Sequence, residues 1–101
     1  MSVTVKQSDS GKTVTIQVAG RFDFSCHQAF IKAYKETPKG EYNFIVDLSK
    51  TDYMDSSAMG MLLKLREHST KQPQSVVLAN GNEAIQEILR IANFGKIFTL
   101  K

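Results

Sequence analysis

The chain has 101 residues, the length of one compact domain, so we expect a single domain over residues 1–101. Apolar residues make up 42% of the chain and charged residues 23%, a balance that suits a soluble domain with a real core. The net charge of +3 comes from scattered basic residues without a Lys/Arg run interleaved with aromatic residues, which argues against direct binding of nucleic acid.

The start of the chain predicts a hairpin followed by a helix. Apolar and polar residues alternate in Val3–Val5 and again in Val14–Val18, which is typical of half-buried strands. The turn-forming cluster Ser8–Lys12 separates them, so the two strands should pair. A helix is expected from near Phe24 to Thr37, where Pro38-Lys39-Gly40 stops it. Its buried face is marked by Cys26, Phe30, Ala33 and Tyr34.

The middle of the chain predicts a strand, a polar connection and a second helix. Residues Asn43 to Leu48 are typical of a strand that is buried on both faces inside a partly parallel sheet. The connection after them ends in Tyr53-Met54, and the next helix should run to about Ser69. We expect its inner stripe to contain Ala58, Met59, Leu62, Leu63 and Arg66.

The end of the chain predicts two more strands around a third helix. The strands are Ser75–Asn80 and Ile97–Leu100, and Asn82 should cap the helix between them. The order β-β-α-β-α-β-α-β predicts an α/β domain with a mixed sheet. Right-handed crossovers should place its helices mainly on one face.

The segment Asp55–Gly60 carries the strongest functional signal. The hydroxyls of Ser56 and Ser57 stand where a loop should become a helix. Asp and Ser are also ordinary helix caps, because their oxygens accept hydrogen bonds from free backbone N–H groups. A phosphate at this point would face those N–H groups and the positive end of the helix dipole. One serine here can therefore serve as a charge switch.

The ten residues from Tyr53 to Leu62 (YMDSSAMGML) resemble the signature of bacterial anti-sigma factor antagonists, which are STAS-domain proteins. In that family the serine directly after the motif aspartate is phosphorylated by the anti-sigma factor kinase, which points to Ser56. Ala19–Asp23 resembles the family's Gly-Glu-hydrophobic-Asp segment, and Ile88–Phe98 resembles its closing helix, turn and last strand. The resemblance implies the STAS fold.

Three positions depart from the family pattern. Arg21 replaces the usual glutamate, which bears on the choice of partner. Ala58 stands at a usual glycine, which is a small change. Asn93 also stands at a usual glycine, but Asn tolerates the left-handed conformation at a helix end, so the turn should survive.

The resemblance also suggests a partner-binding surface around Ser56. Asp23 has two interpretations: it caps the first helix, or it lies beside the phosphorylated serine as the matching aspartate does in the family. Met54, Met59 and Met61 near Ser56 either fill the core or provide an adaptable contact for a partner, and if one of them is exposed we expect it to be Met59 or Met61. The expected partner-binding residues are Asp23, Asp55, Ser57, Met59, Gly60 and Met61.

Catalytic and metal-binding patterns are not found in the sequence. Cys26 and His27 are neighbours on a predicted helix, so their side chains do not face each other as a nucleophile and base must. Cys26 is better explained as a small buried hydrophobe, and His68 as a residue near a helix C-terminus. We therefore expect a protein that is not an enzyme, with no cofactor and no metal.

The sequence also bears on the compartment. The single cysteine, Cys26, allows no intrachain disulfide, which fits a reducing environment. Met1–Thr4 lacks the pattern of a secretory signal, and the apolar stretches are far too short to span a membrane. We expect a cytoplasmic monomer that does not bind membranes.

The first functional hypothesis is a partner-switching regulator. The unphosphorylated protein would bind an anti-sigma factor that is also a serine kinase and so release a sigma factor, and phosphorylation of Ser56 would weaken that binding. A serine phosphatase would reset the switch. One alternative is a phosphocarrier protein of a sugar-uptake relay, for which His27 is the candidate histidine. Another is an accessory STAS subunit of a transporter or stress-signalling complex.

Overall fold

A computed structural model describes residues 2–7, 12–69 and 72–101, and in these ranges six strands and three α-helices form a mixed α/β domain. The predicted fold class is confirmed. The strands are β1 (Ser2–Gln7), β2 (Thr13–Phe22), β3 (Asn43–Asp47), β4 (Thr51–Met54), β5 (Val76–Ala79) and β6 (Thr99–Leu100). The helices are α1 (His27–Lys32), α2 (Ser56–His68) and α3 (Glu83–Ile91).

The sheet has the strand order β1-β2-β3-β5-β6, and β4 pairs with the end of β2. β1 and β2 are antiparallel, with Val3 opposite Val18, as the predicted hairpin requires. All other neighbours are parallel. Of the predicted turn cluster, residues 8–11 lie outside the described residues.

β4 is a strand where the sequence predicts only a polar connection. Its residues do not alternate, because the two ends are buried and the two middle residues are exposed. Tertiary pairing decides its conformation instead. The buried Thr51 hydroxyl donates to the Val18 carbonyl oxygen at 2.6 Å, and the Gly20 N–H donates to the Lys50 carbonyl at 2.8 Å. These bonds attach the segment before α2 directly to β2.

The core lies on one face of the sheet. Ile16, Phe44 and Leu78 point into it from three adjacent strands, and each is at most 2% exposed. Side chains from all three helices belong to the same buried cluster, so the helices cover this face. On the opposite face Ile45 is half-buried, so β3 is not buried on both faces as predicted.

The buried stripe of α2 is rotated from the prediction. It contains Ala58, Met61, Leu62 and Leu65, which follow the spacing of one helix face. Leu63 was expected to be buried but is 42% exposed. The apolar residues of α2 are compatible with burial of either of these two faces. The pairing of β4 with β2 positions the start of the helix and so selects the face that is buried.

The helix ends follow the local signals more closely. Asn82 caps α3 by accepting a hydrogen bond of 2.9 Å from the Ile85 N–H, and Asn93 adopts the predicted left-handed conformation with φ of 61°. The first helix is shorter than predicted. A 3₁₀ turn over Phe24–Cys26 leads into α1, which ends at Lys32 and is followed by further turns.

Candidate functional site

The ends of two strands bring the candidate site together. Phe22 of β2 is in register with Met54 of β4, and both side chains are buried. The strands are parallel, so the residues that follow them, Asp23 and Asp55, leave the sheet at the same edge. Two residues that are far apart in sequence therefore become neighbours, as the second interpretation of Asp23 requires.

Asp55 caps helix α2. Its Oδ1 accepts hydrogen bonds from the Ser57 hydroxyl at 2.6 Å and from the Ala58 N–H at 3.1 Å. The bond from Ser57 contributes most to lowering the pKa of the Asp55 carboxyl below its ordinary value, while the charge of Asp23 opposes this shift. Asp55 therefore caps α2 and also lies close enough to Asp23 for the two carboxylates to interact.

Ser56 and Ser57 differ in their accessibility. Ser56 is the first residue of α2 and is exposed. Ser57 is half-buried, and its hydroxyl is bound to Asp55. A modifying enzyme can therefore reach Ser56 more readily, although the two serines are adjacent in the sequence.

Asp23 also acts as a cap. Its Oδ1 accepts from the Ser25 N–H at 3.0 Å and from the Ser25 hydroxyl, at the start of the 3₁₀ turn. The hydrogen bonds from Ser25, together with the weaker influence of Arg21, hold the pKa of Asp23 below its ordinary value. Asp23 therefore remains ionised at neutral pH beside Asp55.

The methionines near Ser56 mostly belong to the core. Met54 is 4% exposed and Met61 is 3% exposed, so neither offers a contact surface to a partner. Met59 is half-buried and packs against the core at its edge. Of the two methionines predicted to be exposed, Met61 is ruled out because it lies on the buried stripe of α2, and Met59 is the more accessible one. Gly60 is exposed on the opposite side of that helix.

An arginine and a tyrosine flank the two carboxylates. Arg21 lies beside Tyr53 in the register of β2 and β4, and its guanidinium carbon is 3.9 Å from the centre of the Tyr53 ring. The Arg21 Nε donates to Asp23 Oδ2 at 3.2 Å. Tyr53 is 39% exposed, so the pair forms part of the surface. This pair could not be predicted from the sequence, because the β4 strand that positions Tyr53 was not predicted.

Phe24 is a second surface residue that the sequence analysis missed. Its side chain is 67% exposed directly after Asp23, and its ring stacks on the His27 ring with centroids 4.8 Å apart. An aromatic residue so exposed beside a polar site is a candidate contact for another protein. Its absence from the predicted buried face of the first helix, directly after a candidate N-cap aspartate, is the sequence signal that could have identified it.

The other residues considered for chemistry have structural roles. Cys26 is fully buried, and its thiol donates to the Arg21 carbonyl oxygen at 3.1 Å. His68 Nε2 lies 2.7 Å from the Thr37 carbonyl oxygen, and its ring packs on Tyr34. In the described ranges no group of three or more His, Cys, Asp or Glu side chains is arranged to hold a metal ion. None of the helices described is both long enough and apolar enough to cross a bilayer.

Two sequence comparisons identify the family of this chain. The family described as "Mlab, STAS domain" matches residues 5–100. A STAS-domain containing protein of Pseudomonas aeruginosa (strain UCBPP-PA14) is 41% identical over 100 residues, which cover 99% of this chain and 99% of the relative.

Solved structures share the fold at low sequence identity. The anti-sigma factor antagonist SpoIIAA in its unphosphorylated form is similar with a TM-score of 0.73 and 16% identity, over 99% of this chain and 87% of SpoIIAA. The phosphorylated form of SpoIIAA, a Bacillus cell fate determinant, gives a TM-score of 0.63 and 17% identity, over 99% and 91%. A DUF3478 protein of Shewanella loihica with a SpoIIAA-like fold gives 0.55 and 16%, over 99% and 82%.

These likenesses establish the fold, and the sequence matches establish the family. The family match spans nearly the whole chain, and the Pseudomonas relative matches it from end to end. The protein therefore belongs to the STAS-domain family.

Proposed function

We propose that this protein is an anti-sigma factor antagonist that is switched off by phosphorylation of Ser56. The observation that carries the proposal is the exposure of Ser56 at the first residue of α2, directly after Asp55, whose carboxylate interacts with that of Asp23. The fold shared with SpoIIAA, an anti-sigma factor antagonist known in unphosphorylated and phosphorylated forms, supports the same reading.

The proposed chemistry takes place in the partner. An anti-sigma factor with serine kinase activity transfers the γ-phosphoryl group of ATP to the Ser56 hydroxyl oxygen. A new bond forms between the Ser56 oxygen and the γ-phosphorus, the bond from that phosphorus to the oxygen retained by ADP breaks, and the hydroxyl proton passes to a base of the kinase. A serine phosphatase reverses the modification by hydrolysis. This chain is then the substrate of both enzymes, and it needs no cofactor of its own.

The switch follows from the charges already present. A phosphate adds about two negative charges near neutral pH. At Ser56 these charges join those of Asp23 and Asp55, and a bound partner must then accommodate all of them in one interface. A loss of about 3 kcal/mol would weaken binding roughly a hundredfold, which is sufficient for a switch.

The proposed partner surface surrounds Ser56. It comprises the exposed or half-buried residues Asp23, Phe24, Asp55, Ser57, Met59 and Gly60. Met61 is buried, so it helps to hold α2 against the core but does not contact the partner. Phe24 supplies the exposed aromatic area that the buried methionines do not.

Titration calorimetry with the cognate anti-sigma factor tests the proposal. Unphosphorylated protein and S56A should bind with similar affinity, and the phosphorylated protein should bind about a hundredfold more weakly. S56D should fall between them, because one carboxylate imitates phosphate imperfectly. S57A is the matched control, and phosphorylation should still weaken its binding. Equal affinities for the unphosphorylated and phosphorylated forms would refute the switch.

The alternatives predict different chemistry. A phosphocarrier protein would accept an acid-labile phosphate on His27, whose ring here stacks on Phe24. An accessory STAS subunit would be recovered with its complex and would carry no phosphate. Incubation with candidate kinases and phosphate donors, followed by residue-resolved mass spectrometry, separates phosphoserine from phosphohistidine and from no modification.

A further inference from the structure

Arg21 is the positive group of the candidate site. Its Nε is bonded to Asp23, its guanidinium lies over the Tyr53 ring, and its side chain is 61% exposed. Asp23 in turn is close enough to Asp55 for their charges to interact. The described contacts thus place the Arg21 cation against Asp23, whose charge in turn reaches Asp55.

The backbone of Arg21 is held by its neighbours, whereas most of its side chain is exposed. Its carbonyl oxygen accepts the hydrogen bond from the buried Cys26 thiol, and its strand is paired with β4. The Tyr53 ring supports the flat guanidinium group without using its N–H donors. In the described contacts the Nε bond to Asp23 is the hydrogen bond that holds this side chain, so the terminal nitrogens are available to a new acceptor.

The distance to Ser56 is within reach of this side chain. Arg21 and Tyr53 are register partners, and Ser56 lies three residues beyond Tyr53. The two Cα atoms are thus separated by one strand spacing of about 4.8 Å and by roughly 10 Å along the strand direction. The long, exposed Arg21 side chain and a phosphoserine at position 56 can together span this separation, and Arg21 already contacts Asp23 at the same edge of the sheet.

We propose that Arg21 is the intramolecular counter-ion of phosphorylated Ser56: when the phosphate is present, the guanidinium moves from Asp23 to the phosphate oxygens. A phosphate dianion is a stronger acceptor than a carboxylate and can accept a bidentate pair from arginine. The pairing offsets part of the repulsion by Asp23 and Asp55, so the domain keeps its fold while the partner loses its binding site. This inference rests on the proposed function for its biological role, but its test requires only a phosphate on Ser56 and no partner.

The test installs phosphoserine at position 56 during translation, so that neither a kinase nor a partner is required. The second pKa of the phosphate is then measured by ³¹P NMR in the otherwise unchanged protein and in the R21Q and R90Q variants. Arg90 is the matched control, because its side chain is 68% exposed and its Nε donates to the Glu87 carboxylate at 3.1 Å. It lies on α3, whereas Ser56 lies on α2.

R21Q should raise the phosphate pKa by about 0.5 unit, the size expected for an exposed ion pair, and R90Q should leave it unchanged. The Nε resonance of Arg21 should also shift on phosphorylation, whereas that of Arg90 should not. An equal phosphate pKa in R21Q and R90Q, or an Arg21 resonance that does not respond, would overturn the proposal. If these shifts occur but the anti-sigma factor binds both forms equally, the proposed function fails and the counter-ion role stands.

Discussion

The Ser57 hydroxyl donates a hydrogen bond of 2.6 Å to the Asp55 carboxylate, and this bond separates two serines that look equivalent in the sequence. The Ser57 hydroxyl is hydrogen-bonded within the cap of α2, while its neighbour Ser56 is exposed. The site therefore has one hydroxyl for structure and another available for modification.

Kinase treatment should place phosphate on Ser56 and leave Ser57 unmodified. S56A should abolish the modification, and S57A should retain it, since the exposed hydroxyl is still present. Losing the Ser57 bond should still lower the stability of S57A slightly, because a carboxylate acceptor loses one donor. Site-resolved mass spectrometry and thermal unfolding measure the two effects, and predominant phosphate on Ser57 would contradict the assignment.

Replacing Gly60 with Ala should stabilise the free protein and weaken partner binding. A Cβ at Gly60 would meet no neighbouring atom within 4 Å, so packing inside this domain does not require glycine. Within a helix, Ala is favoured over Gly by roughly 0.5–1 kcal/mol. Urea unfolding should show the gain in stability, and calorimetry should show the loss of affinity. Unchanged affinity would mean that the partner does not approach Gly60 closely.

Phe24 should contribute to partner binding although it contributes little to the core. Phe24 and Ile91 are both 67% exposed, but Phe24 follows Asp23 whereas Ile91 ends α3. F24A should therefore weaken binding to the anti-sigma factor about tenfold or more, as truncation of an aromatic interface anchor does. I91A should leave the affinity unchanged. Equal effects of the two substitutions would remove Phe24 from the proposed surface.

Truncation of Met61 should mainly reduce stability, whereas truncation of Met59 should mainly reduce partner affinity. Met61 is buried, so M61A should lower the free energy of unfolding by about 2–5 kcal/mol through the cavity that it leaves. Met59 is half-buried beside the exposed face of α2, so M59A should cost less stability and reduce partner affinity instead. Denaturant unfolding and calorimetry on both variants check this division. An M61A variant as stable as the wild type would contradict this expectation, because neighbouring side chains would then have to fill the space that Met61 leaves.

The stability of the fold should depend on the ionisation of Asp55. The hydrogen bond from Ser57, above all, lowers the pKa of Asp55 in the folded chain. The resulting stabilisation is present above the unfolded pKa and is lost as the pH falls through the lower folded value. D55N should thus lose stability at neutral pH, and its difference from the wild type should shrink in acid.

Urea unfolding near pH 7 and near pH 3 measures this difference. N82A is the control, because it removes an uncharged helix cap and should cost about 1 kcal/mol at both pH values. A D55N difference that stays constant between the two pH values would mean that the charge of Asp55 does not stabilise α2.

The features that the sequence could predict are those decided by neighbouring residues. Asp55 and Asn82 cap helices, and Asn93 takes the left-handed turn, because each needs only the residues beside it. The β4 strand and the inner face of α2 depend on pairing with β2, which is distant in sequence. Local patterns therefore could not predict the exposure of Leu63 or the position of Tyr53 next to Arg21.

The pairing of β2 with β4 also makes the site dependent on a folded sheet. Asp23 and Asp55 come from segments that an unfolded chain keeps apart, and they meet only after Phe22 and Met54 are aligned in the sheet. A nascent or misfolded chain can display the residues around Ser56 in order, yet it lacks the combined surface. If the proposed partner contacts both strand ends, it should bind only chains in which β2 and β4 have paired, so that regulation would act on folded molecules alone.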